Sequence, residues 1–199
     1  MTWTCVLLIA TDQASLSLRR YASKGTCAVS GRGIHDAETL IGTASIVISE
    51  RDTWDVEELE RPPASDPRWP THCVCGYTFQ EDDTRQLFKS RLYRREDTGA
   101  LLTLSEAEPG MMWDADWLLD MGETYTGPDG RCFIMRLPGH GEWTIDGPSS
   151  NGPGWERTGE PPKITVRPSI LSHPSKMRQG YHGWLTDGVL SDDLEGRTY

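Results

Sequence analysis

Residues 71–79 read THCVCGYTF and contain two thiols, Cys73 and Cys75, separated by one residue. Thiolate and imidazole are ligands that zinc prefers, and Gly76 lets the backbone fold both sulfurs around one ion. The stretch is therefore typical of a zinc knuckle. A zinc site normally also has a second, distant ligand pair, which this stretch does not contain. A redox pair and ordinary core cysteines are therefore alternative interpretations of the same residues.

The remaining ligands of such a site must come from other parts of the chain. The candidates are His182 in GYHGW, His173 in LSHPS, Cys132 in GRCFI, and Cys27 with His35 in TCAVSGRGIHDA. Spacing alone does not choose among them. We expect Cys5 and Cys132 to pack as small buried hydrophobes. His140 lies between two glycines at a predicted hairpin tip, where we expect it to be exposed to solvent.

Strand patterns separated by short turns dominate the chain around the knuckle. In RLYRREDTGALLTL, the residues 97–99 lie between two strand-like runs and predict a hairpin. RCFIMRL and EWTID flank PGHG, which predicts a second hairpin with its turn at 138–141. TASIVIS, KITV and YHGWLTDGVL also have the composition of strands.

Two segments predict short helices, and one predicts irregular structure. HDAETLIG at 35–42 suits a helix that ends at Gly42, and PGMMWDADWLLDMG places Trp113 and Trp117 at helical spacing. DGPSSNGPGWERTGEPP is too rich in Gly, Pro and Ser for regular structure. The predicted fold class is β-rich α+β, with antiparallel hairpins and one or two short helices around the zinc knuckle.

Composition and charge narrow the classes of function. The chain has 199 residues, of which 20 are basic and 30 acidic, so its formal net charge is −10. This charge repels phosphate backbones and anionic lipid, and we expect neither a nucleic-acid partner nor a membrane. Eight tryptophans call for a packed interior or a binding surface.

The length predicts a single domain over residues 1–190, in which 1–18 could be an N-terminal extension, followed by a solvated tail at 191–199. The apolar run from Cys5 to Ala10 has no positively charged segment before it and predicts a buried strand rather than an export signal. We therefore expect a cytoplasmic location, which for a phage protein is the cytoplasm of the bacterial host. Five cysteines, an odd number, do not suggest a disulfide framework.

The succession of HCVCG, PSI at 168–170 and YHGWLTDGVL resembles the bacterial family catalogued as domain of unknown function 6527. DPRWPTHCVCGYTFQEDD and WERTGEPPKITV resemble its actinobacterial and phage branch, and the similarity covers roughly residues 19–190. The resemblance implies zinc bound by Cys73, Cys75 and His182. Broader members carry a further cysteine just before that histidine, where this chain reads RQGY at 178–181. The fourth ligand would then be His173, Cys27, His35 or a water molecule.

The leading prediction is a zinc-binding phage or bacterial accessory protein that binds another protein, with Cys73, Cys75, His182 and His173 as metal ligands. The first alternative is a zinc-dependent hydrolase acting on a peptide or ubiquitin-like substrate, because some members of the resembling family are associated with ubiquitin-like conjugation clusters. Its general base would be Glu81, Asp114 or Asp116. The second alternative is a structural virion protein without metal.

Overall fold

A computed structural model describes the chain except for residues 23–24, 30–32, 49–53, 57–59, 140, 150–153 and 176–177. The described residues form thirteen strands and three short 3-10 helices. The strands are β1 Trp3–Thr4, β2 Val6–Tyr21, β3 Asp36–Ile48, β4 Trp54–Val56, β5 Thr84–Arg95, β6 Leu101–Leu102, β7 Met111–Asp114, β8 Phe133–Leu137, β9 Gly141–Thr144, β10 Glu156–Glu160, β11 Lys163–Ser172, β12 Tyr181–Thr186 and β13 Val189–Leu190. The helices are Leu104–Glu106, Asp116–Met121 and Glu123–Tyr125. The strands form two mostly antiparallel sheets, which confirms the β-rich prediction.

The chain divides into two compact units. The first unit comprises Met1–Ala10 and Tyr93–Tyr199, and the second comprises Thr11–Leu92. The boundaries fall inside β2 and β5, so each of these strands contributes residues to both units. The chain length predicts a single domain over residues 1–190, and no linker composition marks a boundary inside a continuous strand.

A five-stranded antiparallel sheet lies in the first unit, in the order β1, β13, β12, β11, β10. Residues alternate between its two faces, as the strand period requires. Along β12, Tyr181, Gly183 and Leu185 are buried, whereas Trp184 on the opposite face is exposed. Between the pairs Val166↔Leu185 and Ile170↔Gly183, β11 contains two more residues than β12. β11 therefore bulges between these two pairs.

The same unit holds a second group of strands, in which β7 pairs with β8 and β8 with β9. The start of β2 runs parallel to β7 from Val6↔Met111 to Leu8↔Trp113. The main apolar core of the unit combines residues of both groups: Cys5, Met112, Phe133, Met135, Leu137, Trp143, Ile145, Ile164, Val166, Ile170, Tyr181, Leu185 and Leu190. Burial of this set is the main source of the unit's stability.

The second unit is built on the long antiparallel pair β2–β3, which extends from Gln13↔Ser45 to Tyr21↔Asp36 with a register shift between Leu16 and Ser17. The edge strand β4 pairs with β3, and β5 pairs with β2. The predicted helix at 35–42 is wrong, because these residues belong to β3 apart from His35. Gly42 lies at a register shift with a φ of +148°, so it serves a β-bulge and not a helix end.

The two predicted hairpins are confirmed, since β5 pairs with β6 and β8 pairs with β9, both antiparallel. His140, which is predicted at the tip of the second hairpin, lies outside the described residues. The helix predicted within 109–122 is partly wrong, because β7 occupies its first half and only Asp116–Met121 is helical. The segment 146–162 is not wholly irregular, since it contains β10.

The residues after Leu190, for which the sequence predicts a solvated tail, include the buried carboxylate of Asp193. This carboxylate accepts hydrogen bonds from the amides of His182 (3.0 Å) and Glu195 (2.8 Å), the Arg197 side chain and the Tyr199 hydroxyl. Desolvation acts to raise the pKa of Asp193, but these donors hold it well below its usual range. The segment that follows β13 is thereby fastened to β12.

Candidate metal centre

The segment 71–79 forms a tight two-stranded turn in the second unit. His72 and Thr78 make an isolated antiparallel bridge, and the Phe79 amide donates to the Thr71 carbonyl at 3.0 Å. Between these two contacts, the Cys73 amide donates to the Tyr77 carbonyl and the Gly76 amide donates to the Cys73 carbonyl, each at 2.9 Å. The φ of Gly76 is +90°, a conformation that costs glycine little. The turn therefore depends on the glycine that follows the second thiol.

A second segment, between β2 and β3, approaches this turn. Cys27 makes an isolated bridge with Gly33, and its amide donates to the Gly33 carbonyl at 3.1 Å. The Ala22 amide donates to the His35 carbonyl at 3.0 Å, which continues the β2–β3 pairing beyond Tyr21. Cys27 and His35 are thus fixed at the open end of the long hairpin.

The two segments bring together three thiols and one imidazole. The ligand atoms of Cys27, His35, Cys73 and Cys75 all lie within 4.8 Å of one another. The Cys27 and Cys73 sulfurs are 3.8 Å apart, and His35 Nδ1 is 3.2 Å from the Cys75 sulfur. Tetrahedral zinc places two bound sulfurs about 3.8 Å apart, and a bound sulfur and nitrogen about 3.5 Å apart. These two separations suit one tetrahedral ion, so the group could hold a metal such as zinc.

Burial differs among the four ligands. Cys27 and Cys73 are buried, with Phe79 beside them in a small apolar cluster, whereas His35 is half-buried and Cys75 is exposed. A backbone hydrogen bond from Tyr77 lowers the pKa of Cys75, but desolvation and the neighbouring Cys27 and Cys73 thiols together raise it above its ordinary value. Crowded thiols of this kind bind a cation with release of protons, since zinc takes the thiolate form.

Aromatic packing orients the imidazole. The Tyr77 ring stacks on His35 with 4.1 Å between centroids and 9° between planes, and Phe79 meets Tyr77 edge-on at 5.7 Å. The Tyr77 hydroxyl donates to Asp83, which is buried and also accepts from the Gln80 amide. Groups that orient a metal-binding imidazole are a regular part of zinc sites.

Arg20 ties the turn to β2. Its side chain is buried and donates to the carbonyls of Pro70 and Gln80, which lie at the two ends of the 71–79 segment. Its guanidinium also lies over the Phe79 ring, 5.4 Å from the centroid. The Arg20 side chain therefore fixes the 71–79 turn beside β2, the strand that leads to Cys27.

The sequence-predicted ligands are only partly brought together. Cys73 and Cys75 join Cys27 and His35, which are two of the alternatives for the fourth ligand. His182 and His173 belong to the first unit, and neither is a member of this four-residue group in the part of the chain that the structure describes. Cys27 and His35 can be recognised in the sequence as candidate ligands, since they are a thiol and an imidazole close together. Their spacing, however, does not favour them over His182 as metal ligands.

The other cysteines and carboxylates have separate roles. Cys5 and Cys132 are buried, and desolvation raises the pKa of Cys5 to about 12 and that of Cys132 to about 11, so both are small hydrophobes, as predicted. Asp114 pairs with Arg131 at 2.7 Å, and Asp116 accepts from the Trp117 amide at the start of a 3-10 helix. Both belong to the first unit, and Glu81 is exposed in the second.

Among the described residues, no helix is both long and apolar enough to span a bilayer. Comparisons of the chain with protein-family models, with curated proteins and with solved structures find no match.

Proposed function

We propose that the chain is a zinc-binding protein in which Cys27, His35, Cys73 and Cys75 hold a structural ion, and that it acts by binding another protein. The observation that carries the zinc assignment is the convergence of three thiols and one imidazole, from two separate segments, within 4.8 Å. Thiolate and imidazole ligands select zinc over the hard cations, which prefer oxygen.

The number of ligands favours a structural role over a hydrolytic one. Four protein ligands complete the tetrahedral coordination of zinc, whereas hydrolytic sites keep one position for water. Two of the four ligands, Cys27 and Cys73, also belong to the local apolar cluster. The same four-ligand set favours a zinc protein over a metal-free structural protein of a virion.

Metal content tests the zinc assignment. We expect wild-type protein to bind one equivalent of zinc, and Cys73→Ser and His35→Ala to lose most of it, because each removes one of four ligands. His72→Ala is the matched control, since His72 adjoins Cys73 but is exposed and outside the four-residue group. Elemental analysis gives the stoichiometry, and the absorption of the cobalt-substituted protein reports thiolate ligation. A wild type that takes up no metal, or a His72→Ala as deficient as His35→Ala, contradicts the assignment.

Protein binding is supported by apolar side chains at the end of the β3–β4 pair. Ile48 and Trp54 are cross-strand partners, and Ile48 is 62% exposed while Trp54 is 36% exposed. Aromatic and aliphatic side chains of this kind are common anchors in protein interfaces. The net charge of −10 favours a partner with a positively charged surface.

Substitution of the two anchors tests the binding proposal. We expect the double variant Ile48→Asp, Trp54→Asp to lose at least about tenfold in affinity for a partner captured from bacterial lysate by the wild type, because truncating interface anchors costs roughly 2 kcal/mol or more. Ser45→Asp is the control, since it adds a charge at another exposed position of β3. Titration by calorimetry or surface plasmon resonance measures the loss. Equal affinity of the double variant and the control argues against this surface.

A further inference from the structure

His182, which the family resemblance suggested as a metal ligand, lies between a hydroxyl and a carboxylate in the first unit. Its Nε2 is 3.3 Å from Ser169 Oγ, and its Nδ1 is 3.6 Å from Glu195 Oε1. These three residue types in this order are a nucleophile, a general base and the carboxylate that orients the base. We propose that Ser169, His182 and Glu195 form an acyl-transfer site that cleaves esters of apolar acyl groups.

The strand pairing explains why Ser169 and His182 meet. Leu171 on β11 pairs with His182 on β12, and the flanking Ile170 and Tyr181 point into the core. Because side chains alternate along a strand, Ser169, Leu171 and His182 share the outward face of the sheet. The bulge in β11 ends just before this pair, and the Trp155 indole donates to the Ser169 carbonyl at 3.3 Å. Ser169 is therefore fixed beside the imidazole by its own strand.

The buried Asp193 positions the other two members. It accepts from the amides of both His182 and Glu195, so it joins the strand that carries the base to the segment that carries the carboxylate. Arg197 Nη1 lies 3.0 Å from Glu195 Oε2, which leaves Oε1 directed to the imidazole. The 3.6 Å separation is longer than a hydrogen bond, as catalytic contacts often are before substrate binds.

The surroundings of the site indicate the substrate class. The side chain of His182 is 30% exposed and that of Glu195 is 51% exposed, so solvent and a small ester both reach the site. Leu171 and Trp184 share the outward face with His182 and are 45% and 44% exposed. An apolar acyl chain lying on these two side chains would remove apolar surface from water, which favours an aliphatic or aromatic acyl group over a charged one.

The chemistry balances without a cofactor. Ser169 Oγ bonds to the acyl carbon, its proton passes to His182 Nε2, and the ester C–O bond breaks. The same proton then goes to the departing alkoxide, which leaves as an alcohol. Water repeats the sequence on the acyl-serine, so the products are one alcohol and one carboxylic acid and the serine is regenerated. Glu195 stabilises the imidazolium through Nδ1 in both halves.

A fluorophosphonate probe, which reacts with activated serines, tests the proposal on the full chain. We expect labelling of wild type at Ser169, located by peptide mass spectrometry, and hydrolysis of p-nitrophenyl butyrate. Ser169→Ala should lose both, and His182→Gln should slow labelling at least about 100-fold, because general base catalysis contributes that much or more. Ser45→Ala, an exposed serine of the second unit, should behave as wild type.

Glu195→Gln separates an orienting role from a merely structural one. We expect it to lower the maximal labelling rate at least about tenfold and to leave the half-saturating probe concentration unchanged, because the orienting carboxylate acts on the reaction step and not on probe binding. A probe that fails to label Ser169 in folded wild type overturns the proposal, even where Ser169→Ala does not fold. Labelling of Ser169 that is indifferent to His182→Gln overturns it as well. Neither outcome depends on zinc, so the proposed metal site is judged separately.

Discussion

Removal of the proposed zinc ion should unfold much of the second unit, Thr11–Leu92, while the core of the first unit keeps its protection from hydrogen exchange. Among the described residues, the apolar clusters of the second unit are small, and one of them consists of Cys27, Cys73 and Phe79 with two partly buried residues packed against it. Structural zinc commonly supplies folding free energy that such small cores lack. At a metal concentration of about 1,000 times Kd, the bound ion stabilises the fold by about 4 kcal/mol.

Hydrogen exchange measured by mass spectrometry, with and without a strong chelator, checks this result. Peptides covering 71–79 and the start of β3 should lose protection, and peptides covering β8 and β12 should not. Cys27→Ser should show the same loss without chelator and respond no further when chelator is added. His72→Ala should respond as wild type does. Unchanged exchange in 71–79 after complete removal of the metal would show that the turn does not depend on the ion.

Arg157→Met should destabilise the first unit by about 3–5 kcal/mol, because it leaves buried carboxylate charge without its partner. The Arg157 side chain is only 1% exposed, and Nε donates to Asp146 Oδ1 at 2.8 Å while Nη1 and Nη2 contact Asp129 at 3.2 and 2.5 Å. Its guanidinium also lies over the Phe133 ring at 5.0 Å. The Arg157 guanidinium lowers the pKa of Asp129, whereas burial raises that of Asp146.

Urea unfolding measures the effect, and two further variants identify its cause. Adding Asp146→Asn to Arg157→Met should recover part of the loss, because the side chain of Asp146 is 2% exposed and its charge would no longer be buried unpaired. Arg68→Met is the control for charge alone, since Arg68 pairs with Asp66 at the surface and such pairs contribute at most about 1 kcal/mol. A similar loss in Arg68→Met and Arg157→Met would show that burial of the network is not the cause.

The Arg157 network also explains why the local sequence does not predict β10. The segment 146–162 is rich in Gly, Pro and Ser, which disfavours strands, yet Glu156–Glu160 pairs with β11 over its full length. The ion pairs of Arg157 and the backbone pairing fix these residues, and neither depends on local propensity. In the same way, HDAETLIG has a plausible helical pattern, but pairing of β3 with β2 satisfies its backbone groups instead.

The sequence by itself determined the β-rich class, both hairpins and the Cys73–Gly76 turn, because alternation, turn residues and a glycine at positive φ act over a few neighbouring positions. It also determined that zinc chemistry was available, since thiols and imidazoles can be read from the chain. Only the tertiary structure decided which donors meet. Strand pairing places His182 beside Ser169 and His35 beside the end of β2. Arg20 holds the 71–79 turn next to β2, and Asp193 holds Glu195 near His182. Contacts between distant segments depend on register and burial across the whole sheet, and no local spacing encodes them.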